Sequence, residues 1–122
     1  MILDTDILIQ IERKKPEALA WLGGLPDAPY VAGIAALELL AGCVNTADLR
    51  RIEAVLSTFR LLWPSETELD SSILDYGALR LAHGVKVLDR LIAATALSHK
   101  MPIATFDKHF AFIPGLTVVQ PY

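Results

Sequence analysis

The residues best suited to chemistry are four carboxylates, each beside an apolar run of the chain: Asp4, Glu38, Asp89 and Asp107. Asp4 interrupts the opening stretch MILDTDILIQ, where an unpaired charge inside a core is costly. Carboxylates that pack together repel one another, and desolvation raises their pKa values. A divalent cation relieves both effects, and hard oxygen ligands favour Mg²⁺ or Mn²⁺. Such an ion can polarise a phosphodiester, generate hydroxide from bound water and stabilise the leaving oxygen.

The elements that must position these acids alternate between short apolar strands and longer segments of helical period. We predict strands over residues 2–3, 30–32, 60–63, 102–105 and 116–119, and helices over 7–13, 16–22, 35–43, 47–58, 66–83 and 88–99. Continuously apolar strands between helices are typical of a parallel sheet covered on both faces. The sequence therefore predicts an α/β fold of three layers, α/β/α, around a short, mostly parallel sheet of about five strands.

The predicted elements bring the four acids towards one edge of that sheet. Asp4 ends the first strand, and Asp107 follows the fourth. Glu38 lies near the start of the helix after the second strand, and Asp89 opens the last helix. Because ligands of such sheets bind beyond the carboxyl ends of the strands, we expect the four acids to converge there, with Thr105 close by.

Each acid also has an ordinary structural explanation. Asp89 fits a helix N-terminus, and Asp107 fits a turn. Glu38 fits a solvated helix position. Asp6, which we expect beside the four acids, fits the N-cap of the first helix. Asp4 is the hardest to explain in this way, because it lies at the end of a core strand.

Composition limits the class of protein. The chain has 122 residues, of which 53% are hydrophobic, and its mean hydropathy is +0.43, so we expect one domain over residues 1–122 and a surface that a partner covers. The net charge is -3, which provides no general attraction to nucleic acid or anionic membrane. No apolar run is long enough to span a bilayer, and the start lacks the features of a signal peptide. We expect a cytoplasmic protein.

Other reactive residues do not form a pattern. The single cysteine, Cys43, excludes an internal disulfide, and we expect it to be packed. No Ser/His/Asp set has a recognisable spacing. The histidines, His83, His99 and His109, do not have zinc-site spacing, and we expect them at the surface or at helix caps.

Four stretches taken together resemble the PIN-domain nucleases, and in particular the VapC-like toxins of bacterial toxin–antitoxin pairs: ILDTDILI, IAALELLAG, VLDRLIAATAL and PIATFDKHF. Their order, their spacing and the total length match over nearly the whole chain. The most specific feature is LDRLIAATAL combined with a downstream T-x-D. The resemblance implies a PIN-like fold.

The resemblance also implies a site. Asp4, Glu38, Asp89 and Asp107 correspond to an acidic quartet that binds Mg²⁺ or Mn²⁺. Thr105 corresponds to the hydroxyl of T-x-D, which orients an acid or a metal-bound water. Two positions depart from the family pattern. Asp6 stands where relatives often have Asn or Ser, so it either adds charge to the site or caps the helix. Arg90 stands where relatives often have a small residue, and it reaches either substrate phosphate or an acidic neighbour.

The activity implied by the resemblance is metal-dependent endoribonuclease cleavage of RNA. Its implied partners are a cognate antitoxin, whose C-terminal segment covers the active-site groove, and a second copy in a homodimer. Single-stranded or looped RNA is the expected target, because unstacked bases can reach a cleft. A set of basic residues fits either the RNA backbone or a solvated helix face: Arg13, Lys14, Lys15, Arg50, Arg51, Arg80, Lys86 and Lys108.

The sequence is also compatible in part with different functions. Asp4-Thr5-Asp6 resembles the D-x-D of haloacid-dehalogenase-like phosphatases, but Leu8 stands where that family usually has a small or β-branched residue. A receiver domain needs an acid after the third strand, and the stretch 59–64 has none. A third interpretation is a PIN-like domain that has lost catalysis and only binds a partner. A fourth is a ribonuclease that matures RNA instead of arresting growth.

Overall fold

The computed structural model describes all 122 residues and has five strands, six helices and one 3₁₀ helix. The strands are β1 (Ile2–Leu3), β2 (Tyr30–Ala32), β3 (Arg60–Leu62), β4 (Ile103–Ala104) and β5 (Val118–Val119). The helices are α1 (Thr5–Glu12), α2 (Pro16–Gly23), α3 (Gly33–Ala41), α4 (Thr46–Leu56), α5 (Glu66–His83) and α6 (Val87–Ser98). The 3₁₀ helix covers Lys108–Phe112. No helix combines the length and the apolar content needed to cross a membrane.

The strands form one sheet in the order β3-β2-β1-β4-β5, and every pairing is parallel. The predicted three-layer α/β/α fold is confirmed. β1 is central: Leu3 pairs with Val31 of β2 on one side and with Ala104 of β4 on the other. The chain builds outward from β1 in one direction through β3, and then returns to the other side of β1 with β4. The order therefore reverses between β1 and β4, which is where open parallel sheets bind ligands.

The core lies around β1 and α6. Both residues of β1 are completely buried, as are Ile92, Ala93 and Ala94 of α6. Small alanine side chains let α6 pack closely against its neighbours, and each fully buried Leu or Ile contributes about 1.5–3 kcal/mol. The buried helix predicted from LIAATAL is confirmed, and it fixes the position of its N-terminus, where Asp89 lies.

Local differences from the prediction have simple causes. α1 begins at Thr5 rather than at residue 7, because Asp4 and not Asp6 is the N-cap. The Asp4 side chain accepts a hydrogen bond from the Thr5 amide. α3 begins and ends two residues earlier than predicted. The 3₁₀ helix was not predicted, since five residues are too few for a periodic signal. α5 ends as expected at Gly84, whose φ of 70° favours glycine.

Candidate active site

The centre of the site is the hydrogen bond between the ends of β1 and β4. The Thr105 hydroxyl donates to Asp4 Oδ2 at 2.8 Å. These two side chains are only 2% and 4% exposed, respectively. They meet because Leu3 pairs with Ala104 in parallel register and the Asp4 amide continues the ladder to the Ala104 carbonyl. A contact between residues 101 positions apart thus follows from the pairing of two short strands.

Both oxygens of Asp4 are occupied, yet its pKa is raised to about 7. Oδ1 accepts from the Thr5 amide at 2.7 Å, and Oδ2 accepts from Thr105. Burial is the largest cause of the shift, followed by the charge of Asp6, while the bonds from Thr105 and Thr5 act in the opposite direction. Asp89 raises the pKa further by a smaller amount. The protein therefore holds this carboxyl where its ionised form is disfavoured.

Asp6 is part of the same cluster and is not the helix cap. Its Oδ2 accepts from the Phe106 amide at 2.9 Å and from the Thr105 hydroxyl at 3.3 Å. Its Oδ1 is buried and has no hydrogen-bond partner. Burial raises the pKa of Asp6, and the bond from Phe106 lowers it. The cap explanation of Asp6 is wrong, because Asp4 takes that position.

Asp107 lies beside this cluster and also occupies a turn, as one of the two explanations of this residue predicted. Its amide donates to Thr105 Oγ1 at 2.9 Å. Its Oδ1 accepts from the His109 amide at 2.9 Å, which caps the 3₁₀ helix, and lies 2.7 Å from His109 Nδ1. Thr105 therefore links three acids, since its hydroxyl contacts Asp4 and Asp6 and accepts from the backbone of Asp107.

Glu38 approaches the site from α3. The Thr5 hydroxyl donates to Glu38 Oε1 at 2.5 Å, so Glu38 is held against the start of α1 and is half-buried. A purely solvated helix position does not describe this side chain. Glu38 lies in the second turn of α3, because that helix begins at Gly33.

Asp89 lies among the other acids at the start of α6. It is half-buried, and the Lys86 position that caps the helix makes no side-chain capping bond. The pKa of Asp89 is raised to about 6, first by burial and then by the charges of Asp107 and Glu38, and Lys86 and His109 oppose the shift. These charge effects mean that Asp89 lies within electrostatic range of both of those acids.

The donor chemistry fits a hard divalent cation. All the candidate ligands are carboxylates, and the buried Oδ1 of Asp6 lacks a partner. No three His, Cys, Asp or Glu side chains are arranged closely enough to form a metal site. The structure thus brings the predicted acids into one neighbourhood, all but Asp89 through hydrogen bonds with Thr5 or Thr105, without gathering them into a single coordination group.

A groove leads away from the site between α1, α3 and α4. It has a volume of about 550 Å³, with Thr5 and Glu38 at its lining. Basic groups line it too, but the guanidinium of Arg51 already bonds to Glu12, at 3.2 Å, and to Asp48. Cys43 is also in the lining and is half-buried.

Arg90 does not point into the acidic cluster. It is 2% exposed, and its Nε and Nη2 donate to the two oxygens of Asp75 in α5 at 2.8 and 3.1 Å. Its Nη1 is buried without a partner. Of the two interpretations of Arg90, the acidic neighbour is the one present in the structure.

Two contacts of the site were not predicted, Thr5 on Glu38 and His109 on Asp107, and the acidic neighbour predicted for Arg90 was not identified as Asp75. Only His109 had a local signal, since it follows Asp107 by two positions. The other histidines are peripheral, as expected: His99 Nε2 lies 3.0 Å from the Trp63 carbonyl.

Comparison with known proteins places this geometry in context. The model of the PIN domain family matches residues 1–116. The chain is 36% identical over 129 aligned positions to "Ribonuclease VapC" of Rickettsia bellii (strain RML369-C), an alignment that covers 98% of this chain and 94% of the relative.

Solved structures show the same fold. A toxin–antitoxin complex from Klebsiella pneumoniae has a chain with a TM-score of 0.76 and 33% identity, covering 99% of this chain and 97% of that one. DNA-bound VapBC from Salmonella typhimurium has a TM-score of 0.79 at 21% identity, with 97% and 95% coverage. At that lower identity the likeness concerns the fold alone.

Proposed function

Because this chain belongs to the PIN-domain family, we propose that it is a metal-dependent endoribonuclease that acts as the toxin of a toxin–antitoxin pair and cleaves RNA needed for translation. The observation that carries the proposal is the buried Asp4, bonded to the threonine of T-x-D and surrounded by further acids. A structural role alone does not account for a buried acid placed among like charges. The relative named Ribonuclease VapC supports the nuclease activity.

In this proposal, Asp4, Glu38, Asp89 and Asp107 hold Mg²⁺, for which Mn²⁺ can substitute. The ion, when bound, supplies charge stabilisation at the phosphodiester and a nucleophilic water at neutral pH. Asp6 supports the site with its unpartnered oxygen.

The neighbouring hydroxyls prepare the acids for this task. Thr105 fixes the orientation of Asp4, and Thr5 fixes that of Glu38. Both bonds limit the rotation of a carboxylate, so little ordering is left to occur when substrate binds. Without the ion, Asp4 is partly protonated at neutral pH because its pKa is about 7, whereas Asp89, with a pKa of about 6, is protonated mainly below pH 6. Metal binding must displace those protons.

The partners follow from the relatives and from the surface. The similar chain from Klebsiella pneumoniae is solved as a toxin–antitoxin complex, which supports a cognate antitoxin here. The groove between α1, α3 and α4 suits the C-terminal segment of such a protein, with a basic residue entering the acidic end. We also include in the proposal a homodimer, a single PIN domain over residues 1–122 and a cytoplasmic location.

The substrate in this proposal is single-stranded or looped RNA. Lys86 lies close enough to Asp89 to lower its pKa, and Lys108 directly follows Asp107, so both can neutralise a phosphate near the acids. No observation of the fold or of its relatives favours the phosphatase or the silent binding domain.

The test is cleavage of a total RNA pool by purified protein with Mg²⁺, with Mn²⁺ and with EDTA. We expect discrete fragments from the wild type in either metal and none in EDTA. Asp4→Asn should lower the rate by at least about 10³-fold, the scale on which a lost charge-stabilising group acts. Asp27→Asn is the matched control, because Asp27 is exposed in the loop before β2.

Full activity of Asp4→Asn would show that the site is assigned wrongly. A wild type that cleaves nothing in either metal would direct the search to phosphatase substrates.

A further inference from the structure

Three aromatic side chains form a connected cluster at one edge of the site. The ring centroids of Phe106 and Tyr122 lie 5.0 Å apart in an edge-to-face arrangement, and those of Tyr122 and Trp21 lie 6.3 Å apart. Trp21 packs against the core from α2, whereas Phe106 and Tyr122 are 37% and 45% exposed. The cluster thus has an anchored end and a solvent-facing end.

The exposed end is next to the acids. Phe106 is the middle residue of T-x-D, between Thr105 and Asp107, and its amide donates to Asp6 at 2.9 Å. The pKa of the Tyr122 hydroxyl is raised by partial burial and then by the carboxylates of Glu17 and Asp6. The hydrogen bond from the Phe106 amide to Asp6 fixes the backbone of Phe106, and this keeps its side chain near the acids.

This position has a chemical consequence for RNA binding. A chain with a net charge of -3 and an acidic site gains little from attraction to the RNA backbone. Aromatic rings stack on unpaired bases through a contact that does not depend on charge, and every base offers a face for it. Edge-to-face packing between Phe106 and Tyr122 also restrains the Phe106 ring, so little freedom remains to be lost when a base stacks on it.

We propose that Phe106, supported by Tyr122 and Trp21, is the platform on which an unpaired RNA base beside the cleaved bond stacks, and that the different stacking strengths of the bases give a modest base preference at that position. This inference rests on the proposed nuclease function. It makes Phe106 a specificity-determining residue.

The first test maps cleavage sites in a randomised single-stranded RNA pool by sequencing the products. Phe106→Leu should lower kcat/KM about tenfold, which is the scale of one lost base–aromatic stack, and should weaken the base preference at one position beside the cut. Phe106→Tyr should restore both, because it keeps the ring. Phe112→Leu is the matched control, since Phe112 is 47% exposed but stacks on His83 outside this cluster.

An unchanged base preference with a rate within twofold of wild type would overturn the proposal while leaving the nuclease function intact. The proposal would also be overturned if Phe106→Leu weakened only the co-purification of a co-expressed antitoxin and left RNA cleavage unchanged. The aromatic cluster would then be a contact surface for the antitoxin rather than for RNA.

The second test separates binding from cleavage. With two tryptophans in the chain, Trp63→Phe leaves Trp21 as the only strong emitter. In that background combined with Asp4→Asn, an unlabelled 12-mer of single-stranded RNA should quench Trp21 emission, and adding Phe106→Leu should raise the apparent Kd about tenfold. Quenching that depends on Phe106 would support the platform even if the wild type cleaves no RNA. The proposal would be overturned if RNA quenched nothing at any concentration, or if Phe106→Leu left the quenching unchanged.

Discussion

Asp4 and Arg90 are the only charged side chains that are almost fully buried, and they differ in the charges that surround them. Arg90 meets an opposite charge, with two bonds to Asp75. Asp4 has no cationic partner, and its pKa is raised to about 7, first by burial and then by the neighbouring charge of Asp6. The bond between the buried Arg90 and the partly exposed Asp75 links α6 to α5, whereas neighbouring acids weaken the fold unless something else binds them. Arg90 is therefore paired within the fold, whereas Asp4 carries an electrostatic cost that the proposed metal site would offset.

The largest expected effect breaks the structural pair. Asp75→Ala leaves the buried guanidinium of Arg90 without its partner, so we expect it to lower the free energy of unfolding by about 3 kcal/mol. Arg90→Leu should cost about 1 kcal/mol, because Asp75 is 34% exposed and can be hydrated when alone. Urea denaturation measures both variants. The double variant should resemble Arg90→Leu, and equal costs for the two single variants would contradict this account of the pair.

The next effect has the opposite sign and concerns the acids. In EDTA at pH 8, Asp4→Asn should raise the free energy of unfolding by about 2 kcal/mol, because the neutral amide replaces a carboxylate whose ionised form is disfavoured in the folded state. The gain is smaller than the pKa shift implies, because the amide cannot accept both bonds that Asp4 accepts. Thermal and urea unfolding give the measurement, and Asp27→Asn should leave stability unchanged. A loss of stability in Asp4→Asn would mean that Asp4 is a structural residue like Arg90.

The pH dependence of stability sharpens the same contrast. In the folded state Asp4 keeps its proton up to about pH 7 and Asp89 up to about pH 6, whereas the unfolded chain releases both near 3.8. Between those values the folded state binds more protons, so stability should fall as pH rises from 4 to 7 and level off above it. We expect a decrease of about 2 kcal/mol in EDTA, which Asp4→Asn should reduce by more than half. A stability that rises with pH over this range in EDTA would show that the acids are not destabilised by burial.

The sequence predicted the parts of this contrast that depend on local pattern. Apolar runs located β1 and β4, and the position of Asp4 after one of them indicated a buried acid. The cap of α1 is harder to predict, because two aspartates flank the same helix start and the choice between them depends on where β1 ends.

Tertiary contacts carried no local signal. The bond from Thr5 to Glu38 joins two helices, and the pair of Arg90 with Asp75 joins residues 15 apart on different helices. Either pairing requires the packing of whole elements, which periodicity does not encode. For this reason the sequence could locate a buried acid and a buried helix but could not distinguish an Arg90 aimed at phosphate from one paired within the fold.

The smallest expected effect tests the hydrogen bond from Thr105 to Asp4, which joins the ends of β4 and β1. Thr105→Val keeps the shape of the side chain and removes the hydroxyl that donates to Asp4, so the free energy of unfolding should fall by about 1 kcal/mol at pH 8, where Asp4 is ionised. Because that bond lowers the pKa of Asp4, its loss should move the pH at which stability levels off to a higher value.

Thr95→Val is the matched control for this substitution, because Thr95 is fully buried in α6 and its hydroxyl bonds only to the Leu91 carbonyl of the same helix. It should change stability without moving the pH profile. If Thr105→Val and Thr95→Val had the same pH profile, the hydroxyl of T-x-D would serve packing rather than Asp4. A shift confined to Thr105→Val would instead show that the strand register of β1 and β4 controls the charge of the buried acid, which is the link between this fold and its chemistry.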